Sequence, residues 1–60
     1  MTVNEIYNRI PTRIRTWDAF RKADRVEVEK VVFANTLAEM IGIDVDLIHD
    51  NGKRWVIFAA

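Results

Sequence analysis

Five basic residues stand in two short groups, Arg21, Lys22 and Arg25 in one and Lys53 and Arg54 in the other. Clustered cations bind phosphate through charge-assisted hydrogen bonds, which is chemistry suited to a nucleic-acid backbone. Arg13 and Arg15 flank Ile14 and read as the exposed side of an extended segment, with a phosphate contact as the alternative. Asp44 and Asp46 lie two positions apart, and on one strand face they would offer oxygen ligands to a hard cation. A wet strand face is the commoner use of such a pair, so no metal site is expected. His49 is the single histidine, and at a hairpin end it reads as a solvated surface residue rather than a general base. There is no cysteine, no glycine-rich phosphate loop and no nucleophile motif. The chain is therefore expected to be non-catalytic and to need no cofactor.

Length and composition narrow the setting of those residues. Sixty residues make one small domain, which buries only about 60% of the surface its unfolded chain exposes. Without disulfides or a Cys-rich zinc site, such a domain relies on tight packing or on a partner chain. Half of the residues are apolar, enough to argue against disorder. No apolar run approaches the roughly 20 residues that span a bilayer, and the polar opening "MTVNEIYNR" has no signal-peptide core. A soluble, cytoplasmic protein is expected. Nine basic and nine acidic residues cancel, but unevenly along the chain. Residues 1–25 hold Arg9, Arg13, Arg15, Arg21, Lys22 and Arg25 against Glu5, Asp18 and Asp24. Residues 26–50 hold Lys30 against Glu27, Glu29, Glu39, Asp44, Asp46 and Asp50.

Caps, apolar spacing and turn residues divide the chain into three helices and a hairpin. Thr2 and Glu5 have the spacing of a capping box, Ile6 and Ile10 share a face, and Pro11 stops the run. A first helix over about 3–9 follows. "TRIRT" is short and β-branched, which suits an extended link or brief strand. "TWDAFRKAD" predicts a second helix over about 17–23, with Thr16 as N-cap and Trp17, Phe20 and Ala23 facing inward. Asp24 and Glu27 repeat the cap spacing and Gly42 supplies a left-handed stop, so a third helix is expected over about 25–41. "VEVEKVVF" alternates and is rich in β-branched residues, so a strand followed by a short helix from Thr36 is the alternative.

"GIDVDLIHDNGKRWVIF" admits either the second helix of a helix-turn-helix or a β-hairpin. A groove-reading helix here would turn Asp44, Asp46 and Asp50 towards phosphates, opposing the main source of affinity. Asn51-Gly52 is instead a strong hairpin signal, and Ile43, Val45 and Leu47 alternate with aspartates. The hairpin is expected over about 43–49 and 54–59. A turn centred on Asn51-Gly52 pairs Asp50 with Lys53 and Ile48 with Trp55. It assigns Ile43, Val45, Leu47, Val56 and Phe58 to the core. Ile48, Trp55 and Ile57 then share the other face, covered by another element or by a partner.

Short helix, extended link, short helix, long helix and two-stranded hairpin is an order that resembles the winged helix-turn-helix superfamily. The likeness spans nearly the whole chain and rests on "TRIRT", "TWDAFRKAD", "RVEVEKVVFANTLAEMIG" and "IDVDLIHDNGKRWVIF". It implies an α+β, winged-helix-like fold, with three helices followed by a C-terminal β-hairpin. It also implies a small regulator that contacts double-stranded DNA through the third helix and the wing. Arg21, Lys22, Arg25, Lys53 and Arg54 would then bind phosphates, with Arg25 the candidate for a base edge. The alternative is a non-catalytic protein-interaction module, a small inhibitor or adaptor. Its exposed apolar patch, or a homodimer interface, would draw on Val28, Val32, Ile48, Trp55 and Ile57.

Overall fold

The Thr2 hydroxyl accepts the Glu5 N–H at 3.1 Å, and the Glu5 carboxylate accepts the Thr2 N–H at 3.3 Å. This reciprocal box starts helix α1, Val3–Arg9, in a computed structural model that describes residues 1–59, apart from the side chains of residues 16–18. Pro11 ends α1 but does not end helical structure. Helix α2, Thr12–Asp18, begins directly after it, with Pro11 in the N-cap position. "TRIRT" is therefore helical rather than extended, and Thr16 lies inside α2 rather than capping a later helix. Ile6, Ile10 and Ile14 recur every four residues and are all buried, so packing overrides the weak helix preference of Thr and Ile. The inward placement expected of Trp17 falls outside the described side chains.

Residues 19–29 form a hairpin of two strands, β1 Ala19–Arg21 and β2 Arg25–Glu29, where helices were expected. The Lys22 N–H closes its turn onto the Arg25 carbonyl at 2.8 Å, and Ala23 is exposed there. Helix α3 is short, Ala34–Ile41, and ends at Gly42 with φ +81°, the left-handed stop that its position predicts. The expected helix over 25–41 is thus a strand followed by a helix. "RVEVE" alternates with period two, and pairing with strands on both sides satisfies its backbone. The Asp24–Glu27 spacing is not used as a cap, because both carboxylates bond the Arg25 guanidinium.

A single turn of 3₁₀ helix, Val45–Leu47, leads into β3, Ile48–Asn51, and then β4, Arg54–Phe58. The first hairpin strand is therefore shorter than the expected 43–49. The four strands form one antiparallel sheet in the order β1-β2-β4-β3. The chain is α+β, but its strands interleave with its helices, so the order of three helices followed by a hairpin is not met.

The β3–β4 register pairs Asn51 with Arg54, Asp50 with Trp55 and Ile48 with Ile57. The two linking residues are Gly52 and Lys53, with Gly52 at φ +70°, and glycine in first place is what a type II′ turn demands. The turn centre lies one residue later than Asn51-Gly52. A shift of one residue in each strand preserves the parity, so Ile48, Trp55 and Ile57 do share a face.

That face is the core. α1 and α2 pack against β1 and β2, while α3 packs against α1 and the 3₁₀ turn. Ile48 and Ile57 join Val26, Val28, Leu37, Ala38, Ile41 and the three helix isoleucines in one buried cluster. Of the residues expected to be interior, Ile43 packs against this cluster, Val45 and Leu47 lie in the 3₁₀ turn rather than on a strand, and Val56 and Phe58 lie on the uncovered sheet face. Leu47 is 52% and Phe58 50% exposed, although Val56 is buried among its neighbours there.

Candidate binding surfaces

The register separates the two basic groups. Arg25 pairs with Phe58 at one end of the sheet, and Glu29 pairs with Arg54 at the other. Four strand steps at about 3.3 Å each put roughly 13 Å between these ends. Arg21, Lys22 and Arg25 lie at the β1–β2 turn, whereas Lys53 and Arg54 lie at the β3–β4 turn. The Lys22 and Arg54 side chains nevertheless both reach the Phe20 ring, so the separation is one of backbone positions, and none of the five cations lies on a helix. α3 itself carries Glu39 and no Lys or Arg, and Arg25 is on a strand.

Their partners differ as well. The Arg25 guanidinium bonds Asp24 at 2.9 Å and Glu27 at 3.1 Å, and Glu27 is only 9% exposed. Arg25 is therefore locked and largely neutralised on the uncovered sheet face, with its proton held more tightly by these two carboxylates. Lys22 and Arg54 both approach the Phe20 ring, at 5.6 and 4.9 Å. Phe20 is exposed rather than inward-facing, because it sits on a strand of that uncovered face. Arg21 belongs to a different environment, bonded to Asn4 Oδ1 at 3.0 Å and lying 4.9 Å from the Tyr7 ring centre.

Of the residues expected at a partner interface, Val28, Ile48 and Ile57 are buried in the chain's own core. They are correspondingly absent from its surface. Val32 and Trp55 are half-buried and come together, the indole Nε1–H donating to the Val32 carbonyl at 2.9 Å. Around them opens a cleft of about 610 Å³, lined by Lys30, Val31, Val32, Phe33, Thr36 and Trp55. Lys30 bridges to Asp50 and lies 4.4 Å over the Trp55 ring, so its charge is held at the rim. That contact, with help from the Gly52 N–H, holds the Asp50 carboxyl below its ordinary range, against an opposing effect of burial.

Phe33 projects from the N-cap position of α3 and is 83% exposed. No sequence signal marks it. Phe33, Leu37 and Ile41 are spaced by four, so a helix through all three would bury Phe33 with the others. Because α3 starts only at Ala34, Phe33 leaves that row.

Asp44 and Asp46 do not point together from a strand. Asp44 caps the 3₁₀ turn and Asp46 lies within it, the Asp44 carboxylate accepting the Asp46 N–H at 3.0 Å. His49 is exposed and meets the Phe58 ring edge-on at 5.5 Å. No helix among the described residues is long and apolar enough to cross a membrane.

Comparison with known proteins finds no matching family model, no matching curated protein and no matching solved structure.

Proposed function

We propose that this chain is a non-catalytic protein-interaction module that binds through the cleft formed by the β2–α3 loop, Thr36 of α3 and Trp55 of β4. The exposure of Phe33 beside Val31, Val32 and Trp55 carries the reading. Burying a phenylalanine is worth about 1.5–3 kcal/mol, a large share for a domain whose core is this small. The chain leaves that contribution to be collected on binding. Aromatic anchors in apolar clefts, rimmed by satisfied polar groups, are where protein interfaces concentrate their affinity. Here Trp55 forms the floor, its only polar atom already bonded, and Lys30 and Thr36 stand at the edge.

Two measurements test this. Sedimentation equilibrium of the purified chain asks whether a second copy fills the cleft. Affinity capture, run in parallel with the native chain and Phe33→Ser, asks whether a different protein does. One of the two associations should weaken at least tenfold with Phe33→Ser and stay unchanged with Glu39→Gln. A monomer whose captured proteins are the same for both variants would overturn the proposal.

Double-stranded DNA contacted by α3 and the β3–β4 turn has less support. α3 offers no cation, and Arg25 is already paired with Asp24 and Glu27.

A further inference from the structure

Zero net charge conceals a dipole in space. The basic N-terminal stretch folds into α1, α2 and β1, which pack together at one edge of the sheet. The acidic stretch ends in the 3₁₀ turn and β3, and β3 is the opposite edge. Where the two halves meet, charge is cancelled, Arg25 by Asp24 and Glu27, and Lys30 by Asp50.

Arg15 and Arg21 are different. The hydrogen-bond partners they have among the described residues are neutral, Thr12 Oγ1 for Arg15 and Asn4 Oδ1 for Arg21, both at 3.0 Å. Both guanidiniums lie against one aromatic ring, 5.1 and 4.9 Å from the centre of Tyr7. They are therefore no more than about 10 Å apart, and the ring fixes two long side chains that would otherwise be mobile. The Arg15 Nε is buried without a partner among the described residues, but a guanidinium has five N–H donors, so the terminal nitrogens of both side chains keep donors beyond the one neutral bond each makes. Arg21 and the exposed Lys22 also line a shallow groove with Thr2, Val3, Asn4, Ala23 and Ala59.

We propose that this α1–α2–β1 flank binds the phosphate backbone of a nucleic acid, with Arg15, Arg21 and Lys22 as its cations. Arg15 and Arg21 on the helix side and Lys22, whose ammonium turns round the β1 edge to the Phe20 ring, suit successive phosphates better than a single phosphate, which calls for an enclosed pocket. Tyr7 is already covered by guanidinium groups and offers no platform to a base, so the binding is tolerant of sequence. A bilayer fits less well, because no exposed large hydrophobic side chain is found among the described residues of α1 and α2. The surface is distinct from the Phe33 cleft and stands or falls independently of it.

Fluorescence anisotropy with a labelled duplex and a labelled single strand of one length tests this. Both should bind at low salt, with log K falling against log salt at a slope of about −2 to −3 for three phosphates. Arg21→Gln and Lys22→Gln, each confirmed folded by circular dichroism, should each weaken binding at least threefold and together at least tenfold. Lys53→Gln, at the far end of the sheet, should leave affinity within twofold. Failure to bind either probe at low salt would overturn the proposal. So would equal losses from Lys53→Gln, or binding to phosphatidylserine vesicles in place of both nucleic acids.

Discussion

The Trp55 indole N–H donates to the Val32 carbonyl at 2.9 Å, joining the central strand β4 to the loop that connects β2 with α3. One face of the indole is met by Lys30, whose ammonium also reaches Asp50 on the edge strand. A partly buried aromatic thus anchors the segment that presents Phe33.

Trp55→Phe keeps an aromatic ring in place but removes the donor. The lost hydrogen bond and weakened cation–π contact should lower stability by about 1–2 kcal/mol. Urea unfolding should show this as a lower midpoint with an unchanged slope. Binding through the cleft should weaken further, because the loop behind Phe33 loses its tether.

Phe33 and Leu37 are four residues apart and should respond oppositely. Phe33→Ser removes an exposed ring and puts a capping hydroxyl at the start of α3, so it should leave stability unchanged or raise it by up to about 1 kcal/mol. Leu37→Ala empties a fully buried site and should cost about 2–5 kcal/mol, enough to unfold much of so small a domain. Thermal melts of the two variants check the contrast. A strongly destabilised Phe33→Ser would show that the ring is structural.

The Lys30–Asp50 contact should make stability depend on acid pH. Lys30 chiefly, then the Gly52 N–H, holds the Asp50 carboxyl below its ordinary value of 3.8, so the folded chain binds its proton less readily than the unfolded chain. That stabilisation is fully present above the ordinary value and is lost as pH falls through the lowered folded one. Asp50→Asn removes it at every pH. The difference in Tm between native and Asp50→Asn chains should be constant from neutral pH to about 5 and shrink below about 4. Glu5, lowered in the same direction by the Thr2 N–H and hydroxyl, is common to both chains and cancels in the comparison.

What the sequence determined by itself depends on residues within a few positions of one another. Thr2 and Glu5 define the start of α1, and Gly42 defines the end of α3, because caps and left-handed stops are local hydrogen-bond arrangements. The Asn51–Arg54 hairpin was legible for the same reason, although the turn centre moved by one residue. Sequence spacing also placed Ile48, Trp55 and Ile57 on one face, since side-chain alternation survives that shift.

Only the tertiary structure decided which face is covered, and with it which side chains stay exposed. β2 is a strand because β4, about 30 residues later in the chain, completes its ladder, and no local signal reports such a partner. "TRIRT" is helical because Ile14 completes a buried row with Ile6 and Ile10. Phe33 is left on the surface because α3 begins one residue after it. The two basic turns stand at opposite ends of the sheet because β2 and β4 run antiparallel, while the Arg54 and Lys22 side chains both reach over Phe20. Propensity contributes tenths of a kcal/mol per residue, whereas burial of a single isoleucine contributes about 2, so long-range packing settles the cases where the two compete.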